Sequence, residues 1–111
     1  MGEYVRVAKT SEISLGEGKI VEVGGRKVAV FNVDGTFYAI DNTCTHRGGP
    51  LAEGKLSGTQ VTCPWHGAVF EVTSGRVLGP PAVRDVIGYP TRIQGENIEI
   101  EIGLESYTTE P

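Results

Sequence analysis

Two short segments hold all of the cysteine and histidine side chains in this chain. They are Cys44-Thr45-His46 and Cys63-Pro64-Trp65-His66. Thiolate and imidazole are the side chains with real affinity for borderline and soft metals. Each segment offers one of each, and a turn between the two residues lets them converge on one point. The sequence therefore indicates a metal site built from Cys44, His46, Cys63 and His66.

Three kinds of site are compatible with these four residues. The first is one tetrahedral zinc ion, although zinc modules commonly pair like ligands, as in Cys-x2-4-Cys and His-x3-5-His. The second is a two-iron cluster with Cys44 and Cys63 on one iron and His46 and His66 on the other. The third is a set of buried cysteines and unrelated histidines that binds no metal. All four residues fall within 23 positions, which argues against the third interpretation.

The composition predicts one domain with little helix. The 111 residues include 16 glycines, each of which costs about 1 kcal/mol in a helix interior. The formal net charge is -4. The sequence contains no Lys/Arg cluster of the kind that binds nucleic acid, so nucleic-acid binding is not expected. No apolar run approaches the roughly 20 residues that span a bilayer, so no membrane partner is expected. The first residues lack the pattern of a secretory signal, so we expect the reducing cytoplasm, where thiols persist.

Turn signals at short intervals predict an all-β fold. Gly24-Gly25, Asp34-Gly35 and Gly95-Glu96 each separate two β-branched runs, as the tight turns of β-hairpins do. The last run, residues 97–102, alternates isoleucine with polar residues and is typical of a half-buried antiparallel strand. About eight to ten short strands are expected. Residues 8–15 have room for one helical turn at most.

The predicted strands leave the ligand segments on loops. Strand character is lost over about 41–56, and glycines beside the ligands permit tight or left-handed turns there. Such loops on a β scaffold are common places for function. Residues 79–81, Gly-Pro-Pro, form a further irregular stretch. The last residues, about 105–111, are polar and are expected to form a loosely held tail.

The two ligand segments resemble the cluster-binding loops of Rieske iron–sulfur proteins. The resemblance rests on Cys44-Thr45-His46-Arg47-Gly48-Gly49-Pro50-Leu51 and Cys63-Pro64-Trp65-His66-Gly67, while Gly79-Pro80-Pro81 resembles the proline loop that covers the cluster in this family. It implies one Rieske domain over residues 1–111: an antiparallel β sandwich or barrel with a loop-rich cluster-binding subdomain at about 41–70. It also implies one [2Fe-2S] cluster held by the four candidate ligands.

Four positions differ from the Rieske proteins of cytochrome bc complexes. Those proteins carry two cysteines that bridge the loops and two hydroxyls that donate hydrogen bonds to cluster sulfur. The matching positions here are Gly49 and Trp65 for the cysteines, and Ala68 and Phe70 for the hydroxyls. Hydrogen bonds to sulfur stabilise the added electron. We therefore expect no bridge and a reduction potential near the low end of the Rieske range, about -150 mV.

The predicted function is one-electron transfer between proteins. Rieske oxygenases hold a second iron with two histidines and a carboxylate, and no histidine remains here once the cluster is ligated. Catalysis by this chain alone is therefore not expected. The resemblance implies a monomeric Rieske-type ferredoxin. It would accept electrons from a flavin-dependent reductase and pass them to a terminal oxygenase of a ring-hydroxylating dioxygenase system.

Two other functions stay open at this point. The small subunit of assimilatory nitrite reductase resembles the same pattern, including Gly48-Gly49-Pro50-Leu51. A zinc-stabilised interaction module is the other. Trp65 also has two interpretations, since it can dock a partner and tune solvent access or simply pack against its own loop.

Overall fold

The fold is built almost entirely from short β-strands. The computed structural model describes residues 2–45, 48–65, 67–80, 82 and 84–103. In these residues the strands are β1 Gly2–Lys9, β2 Gly18–Val23, β3 Arg26–Val33, β4 Thr36–Asp41, β5 Lys55–Ser57, β6 Gln60–Thr62, β7 Val69–Glu71, β8 Val77–Gly79, β9 Gly88–Tyr89, β10 Thr91–Gln94 and β11 Asn97–Gly103, and two 3-10 helices lie at Thr10–Glu12 and Leu51–Glu53.

The strands form three antiparallel sheets. The strand orders are β1-β11-β10, β2-β3-β4-β9 and β5-β6-β7-β8. The predicted all-β class is confirmed. The eleven strands in the described residues exceed the eight to ten expected, because several contain only two or three residues. Strands of two or three residues are too short for the alternation of apolar and polar residues to be recognised in the sequence.

The predicted tight turns are present. Val33 pairs with Thr36 across the β3–β4 turn, and both turn residues have positive φ, 53° at Asp34 and 92° at Gly35. That is the requirement of a type I′ turn, which matches the twist of a hairpin. Val23 pairs with Arg26 across the preceding turn, so a two-residue loop closes that hairpin as well. Residues 8–15, for which at most one helical turn was expected, contain the first 3-10 helix, Thr10–Glu12.

β3 lies at the centre of the molecule because both of its faces are buried. Val28 and Val30 pack with Ile98 and Ile100 of β11 in one apolar cluster. Ala29 and Phe31 point to the other side and pack in a second cluster, which contains both cysteines. The sheet that contains β3 is therefore a middle layer, with β1-β11-β10 on one face and the residues around the cysteines on the other.

Three loops contribute to this second cluster. We define loop 1 as residues 42–50, which follow β4, loop 2 as residues 63–68 between β6 and β7, and loop 3 as residues 80–87 between β8 and β9. Loop 1 contributes Cys44, loop 2 contributes Cys63, and loop 3 contributes Ala82 and Val86. The fold therefore brings these three loops together on one apolar core.

Candidate metal centre

Loop 1 is closed by two backbone hydrogen bonds around Cys44. The Cys44 N–H donates to the Gly49 carbonyl at 2.9 Å, and the Gly48 N–H donates to the Cys44 carbonyl at 2.9 Å. Gly48 has a φ of 80°, which a residue with a Cβ adopts only at a steric cost. The glycine therefore permits the turn that closes the loop.

Loop 2 repeats the same scheme around Cys63. The Cys63 N–H donates to the Ala68 carbonyl at 2.7 Å, and the Gly67 N–H donates to the Cys63 carbonyl at 3.1 Å. Gly67 has a φ of 82°. In both loops the glycine four residues after the cysteine takes the left-handed conformation. The two segments thus share one backbone design, although their Cys-to-His spacings differ.

Both cysteines are buried, and Cys63 lies against the backbone of loop 1. Cys44 is 2% exposed and Cys63 is 3% exposed, and no disulfide joins them. A methyl group added at Gly49 would lie only 2.6 Å from the Cys63 sulfur. Since Gly49 also holds the Cys44 N–H, the backbone of loop 1 reaches directly to the thiol of loop 2. The structure therefore brings together the two predicted sulfur ligands.

His46 and His66, the predicted nitrogen ligands, lie outside the described residues, as does the 105–111 tail. The complete ligand set therefore stays a prediction. The described part of the site fits an iron–sulfur cluster in three respects: two buried cysteines share one group of packed residues, apolar side chains surround them, and no disulfide consumes them. Metal ligation requires thiolates, and a dry pocket favours a thiolate only when a cation neutralises it.

Trp65 combines the two properties that its two interpretations require. Its side chain is 56% exposed, which makes it a large apolar group available at the surface. Its ring also packs on loop 1, because a methyl group at Gly49 would lie 3.1 Å from the ring Cγ. Trp65 therefore links the two ligand loops and presents an aromatic face to solvent.

Ala68 and Phe70 are both fully buried. Ala68 lies at the end of loop 2, and Phe70 pairs with Val61 in the sheet that follows. Both side chains belong to the apolar cluster around the cysteines. Neither side chain can donate a hydrogen bond, so the lower reduction potential expected from these two positions stays a prediction.

The base of loop 1 is held by residues that the sequence did not single out. Asn42 is 5% exposed, and its side-chain oxygen accepts a 2.8 Å hydrogen bond from the Ala52 N–H. Its carbonyl accepts a 2.7 Å bond from the Leu51 N–H. Asn42 therefore ties the start of loop 1 to the second 3-10 helix. No spacing signal could have identified it, because its partners are backbone groups.

Tyr89 and Asp41 stabilise the end of β4, where loop 1 begins. The Tyr89 hydroxyl donates to an Asp41 carboxylate oxygen at 2.6 Å, and Arg26 Nε donates to the Tyr89 oxygen at 3.2 Å. Charge-assisted bonds of this kind are stronger than neutral ones. They fix the strand end from which Cys44 is presented.

The chain belongs to the Rieske family. The model of the Rieske [2Fe-2S] domain matches residues 3–90, which span both ligand segments and loop 3. The family match confirms the predicted [2Fe-2S] cofactor and removes the reason for a zinc site.

Two relatives are similar over nearly the whole chain. The ferredoxin component of a naphthalene 1,2-dioxygenase system from Pseudomonas aeruginosa is 36% identical over 100 residues, which cover 90% of this chain and 96% of the relative. The biphenyl dioxygenase ferredoxin subunit from Pseudomonas sp. strain KKS102 is 36% identical over 99 residues, with 88% and 91% covered.

Solved structures show the same fold. The ferredoxin of carbazole 1,9a-dioxygenase from Nocardioides aromaticivorans has a TM-score of 0.84 and 29% identity, with 87% of this chain and 95% of that chain covered. A chain from the complex of reduced oxygenase and oxidised ferredoxin in carbazole 1,9a-dioxygenase has a TM-score of 0.81 and 30% identity. The match covers 87% of this chain and 91% of that chain. A Mycobacterium tuberculosis protein proposed to be a nitrite reductase small subunit has a TM-score of 0.83 and 23% identity, and the match covers 93% of this chain and 97% of that chain. At this level of identity the match shows a shared fold alone.

None of the helices in the described residues is long and apolar enough to cross a membrane.

Proposed function

We propose that this chain is the ferredoxin of a dioxygenase system, and that it carries one electron at a time from a flavin-dependent reductase to a terminal oxygenase. Cys44, His46, Cys63 and His66 are the proposed ligands of its cluster. The observation that carries the proposal is the convergence of two identically closed cysteine loops on one buried, disulfide-free site. When bound, a Rieske cluster takes up and releases a single electron.

The protein residues supply burial, positioning and a surface for contact. The apolar cluster around Cys44 and Cys63 excludes water from the sulfur side of the site. The two pairs of backbone hydrogen bonds close each loop on itself, which fixes the backbone on both sides of each cysteine. Trp65 and the exposed Pro64 offer an apolar face beside the ligand loops. This face suits a brief contact with a partner protein.

The proposal places the cluster-binding subdomain at about 41–70, within a single Rieske domain. Both ligand loops and the β5–β6 hairpin lie in that range. The proposal also includes a monomer in the cytoplasm, where a reducing environment keeps both thiols available before the cluster is assembled. The identities of 33–36% to ferredoxin components favour this function over a nitrite reductase subunit.

Metal analysis and spectroscopy test the proposal directly. We expect the purified chain to contain about two iron and two acid-labile sulfide per chain, and to give a rhombic Rieske EPR signal after reduction with dithionite. Iron-free protein containing zinc would overturn the proposal.

A reconstituted system tests the partners. Mixed with the reductase and terminal oxygenase of a naphthalene or biphenyl dioxygenase system, the chain should support product formation that stops when the chain is omitted. Transfer to a sirohaem nitrite reductase subunit and not to an oxygenase would contradict this assignment and favour the other context. Omission of the reductase is the matched control.

Electron transfer to a partner with a basic surface should slow as salt rises. Residues 41–88 carry four basic and four acidic side chains, so the net charge of -4 comes from the rest of the chain. Attraction by that charge acts at long range and mainly raises the encounter rate. Between about 0.01 M and 1 M salt the Debye length falls from about 30 Å to 3 Å, and we expect the second-order rate constant to fall about tenfold.

Stopped-flow measurement of cluster oxidation by the oxygenase, at several salt concentrations, checks this expectation. An uncharged small-molecule oxidant is the control, and its rate should not depend on salt. A salt-independent rate with the oxygenase would mean that the acidic surface serves solubility alone.

A further inference from the structure

Loop 3 forms part of the wall around the two cysteines. Ala82 is 4% exposed and Val86 is 6% exposed, and both pack in the same cluster as Cys44 and Cys63. Small and branched side chains at these positions exclude water from the thiols as long as the loop stays in place. Loop 3 therefore contributes two buried side chains to the apolar surroundings of both thiols.

Three backbone amides fasten loop 3 to the strands around it. The Asp85 carboxylate accepts a 2.8 Å bond from the Val77 N–H. The Val86 N–H donates to the Gly75 carbonyl at 2.8 Å, and the Ile87 carbonyl accepts from the Asp41 N–H at 2.8 Å. These contacts hold the second half of the loop to β8, to the turn that precedes β8, and to the end of β4.

Thr45 fastens the same loop to the ligand segment itself. Its hydroxyl donates to the Arg84 carbonyl at 2.7 Å, across 39 residues of chain. Thr45 lies between Cys44 and His46, so a shift of this residue displaces the chain on both sides. The bond from Thr45 differs from the other three because its donor is part of loop 1.

We propose that Thr45 is a positioning residue, whose hydroxyl latches loop 3 onto loop 1 and thereby keeps water away from the cluster. The inference rests on the proposed function in so far as the group protected is the [2Fe-2S] cluster. Removal of the hydroxyl should let loop 3 open more often. Water near the cluster favours its more negative reduced form, because solvent exposure is one of the factors that set the potential.

Thr45→Val is the test variant, because valine keeps the shape and removes the hydroxyl. Thr45→Ser restores the hydroxyl and serves as the rescue. Thr73→Val is the matched control: Thr73 is another threonine with a hydroxyl bonded at 2.7 Å, but its partner is Glu71, two residues away. Loss of that bond separates no pair of loops.

In Thr45→Val we expect an iron chelator to remove the cluster about three to ten times faster than from the unaltered protein. Amide hydrogen exchange of residues 84–87 should be faster by the same factor, which is the size of effect expected for one hydrogen bond. The reduction equilibrium should shift about threefold toward the reduced form, or about 28 mV at 59 mV per tenfold. Thr45→Ser and Thr73→Val should match the unaltered protein within about twofold in all three measurements.

Equal chelation and exchange rates in Thr45→Val and the unaltered protein would overturn the inference. So would a Thr45→Ser variant that behaves like Thr45→Val, or a reduction midpoint that does not move in Thr45→Val. If Thr45→Val holds no cluster, Thr45→Ser decides, because retention with serine supports the latch and loss with serine refutes it. An unaltered chain without iron would instead refute the proposed function, while the exchange measurement would still report on the latch.

Discussion

A chain with Gly49→Ala should fold but bind its [2Fe-2S] cluster far more weakly. The added methyl group would lie 2.6 Å from the Cys63 sulfur and 3.1 Å from the Trp65 ring. The first separation is much shorter than two such atoms tolerate, so the Cys63 side chain or the loop 1 backbone must move. Overpacking of this kind costs about 1–3 kcal/mol. Cluster affinity should therefore fall roughly five- to hundredfold.

Gly79→Ala provides the matched control. It also adds one methyl group close to the site, and its nearest contact is with Val69 at an ordinary 3.5 Å. Neither Gly49 nor Gly79 has a positive φ, so backbone strain does not enter the comparison. Iron and sulfide content and chelation rates measure the effect, and far-ultraviolet circular dichroism reports the fold. Equal cluster retention in the two variants would mean that the approach of Gly49 to Cys63 is not needed.

The local features of the fold could be predicted from the sequence because their determinants are local. Asp34-Gly35 forms its turn through the φ values of those two residues, and the alternation in β11 directly records which face is buried. The division into three sheets could not be predicted. β3 reads as one apolar run, and no local pattern shows that Val28 and Ala29 serve two different cores.

The candidate site divides in the same way. Residue type and spacing predict Cys44 and Cys63 as the sulfur ligands, and the structure buries both cysteines in one group of packed residues. The parts that hold those ligands could not. Thr45 meets Arg84 across 39 residues, and Gly49 meets Cys63 across a chain reversal. Such contacts depend on tertiary packing, in which the sequence positions of the partners are unrelated.

The double variant Ala68→Ser, Phe70→Tyr should raise the reduction potential substantially. Both side chains are fully buried in the cluster of residues around the cysteines, and the resemblance to high-potential Rieske proteins assigns hydroxyl donors to these two positions. A hydrogen bond contributes about 1 kcal/mol, and donors to sulfur favour the reduced state. Two such bonds correspond to roughly 90 mV, since a tenfold change in a one-electron equilibrium is 59 mV.

Redox titration followed by circular dichroism or EPR measures the midpoint. Val72→Thr is the control, because Val72 is 1% exposed in the same apolar cluster, while the resemblance assigns no donor there. Its midpoint should stay near that of the unaltered protein, for which we expect about -150 mV. A buried hydroxyl without a partner costs about 1–3 kcal/mol, so the double variant should be less stable without the cluster and recover stability when it binds. An unchanged midpoint in the double variant would show that the potential is set by burial and charge, and not by the missing donors.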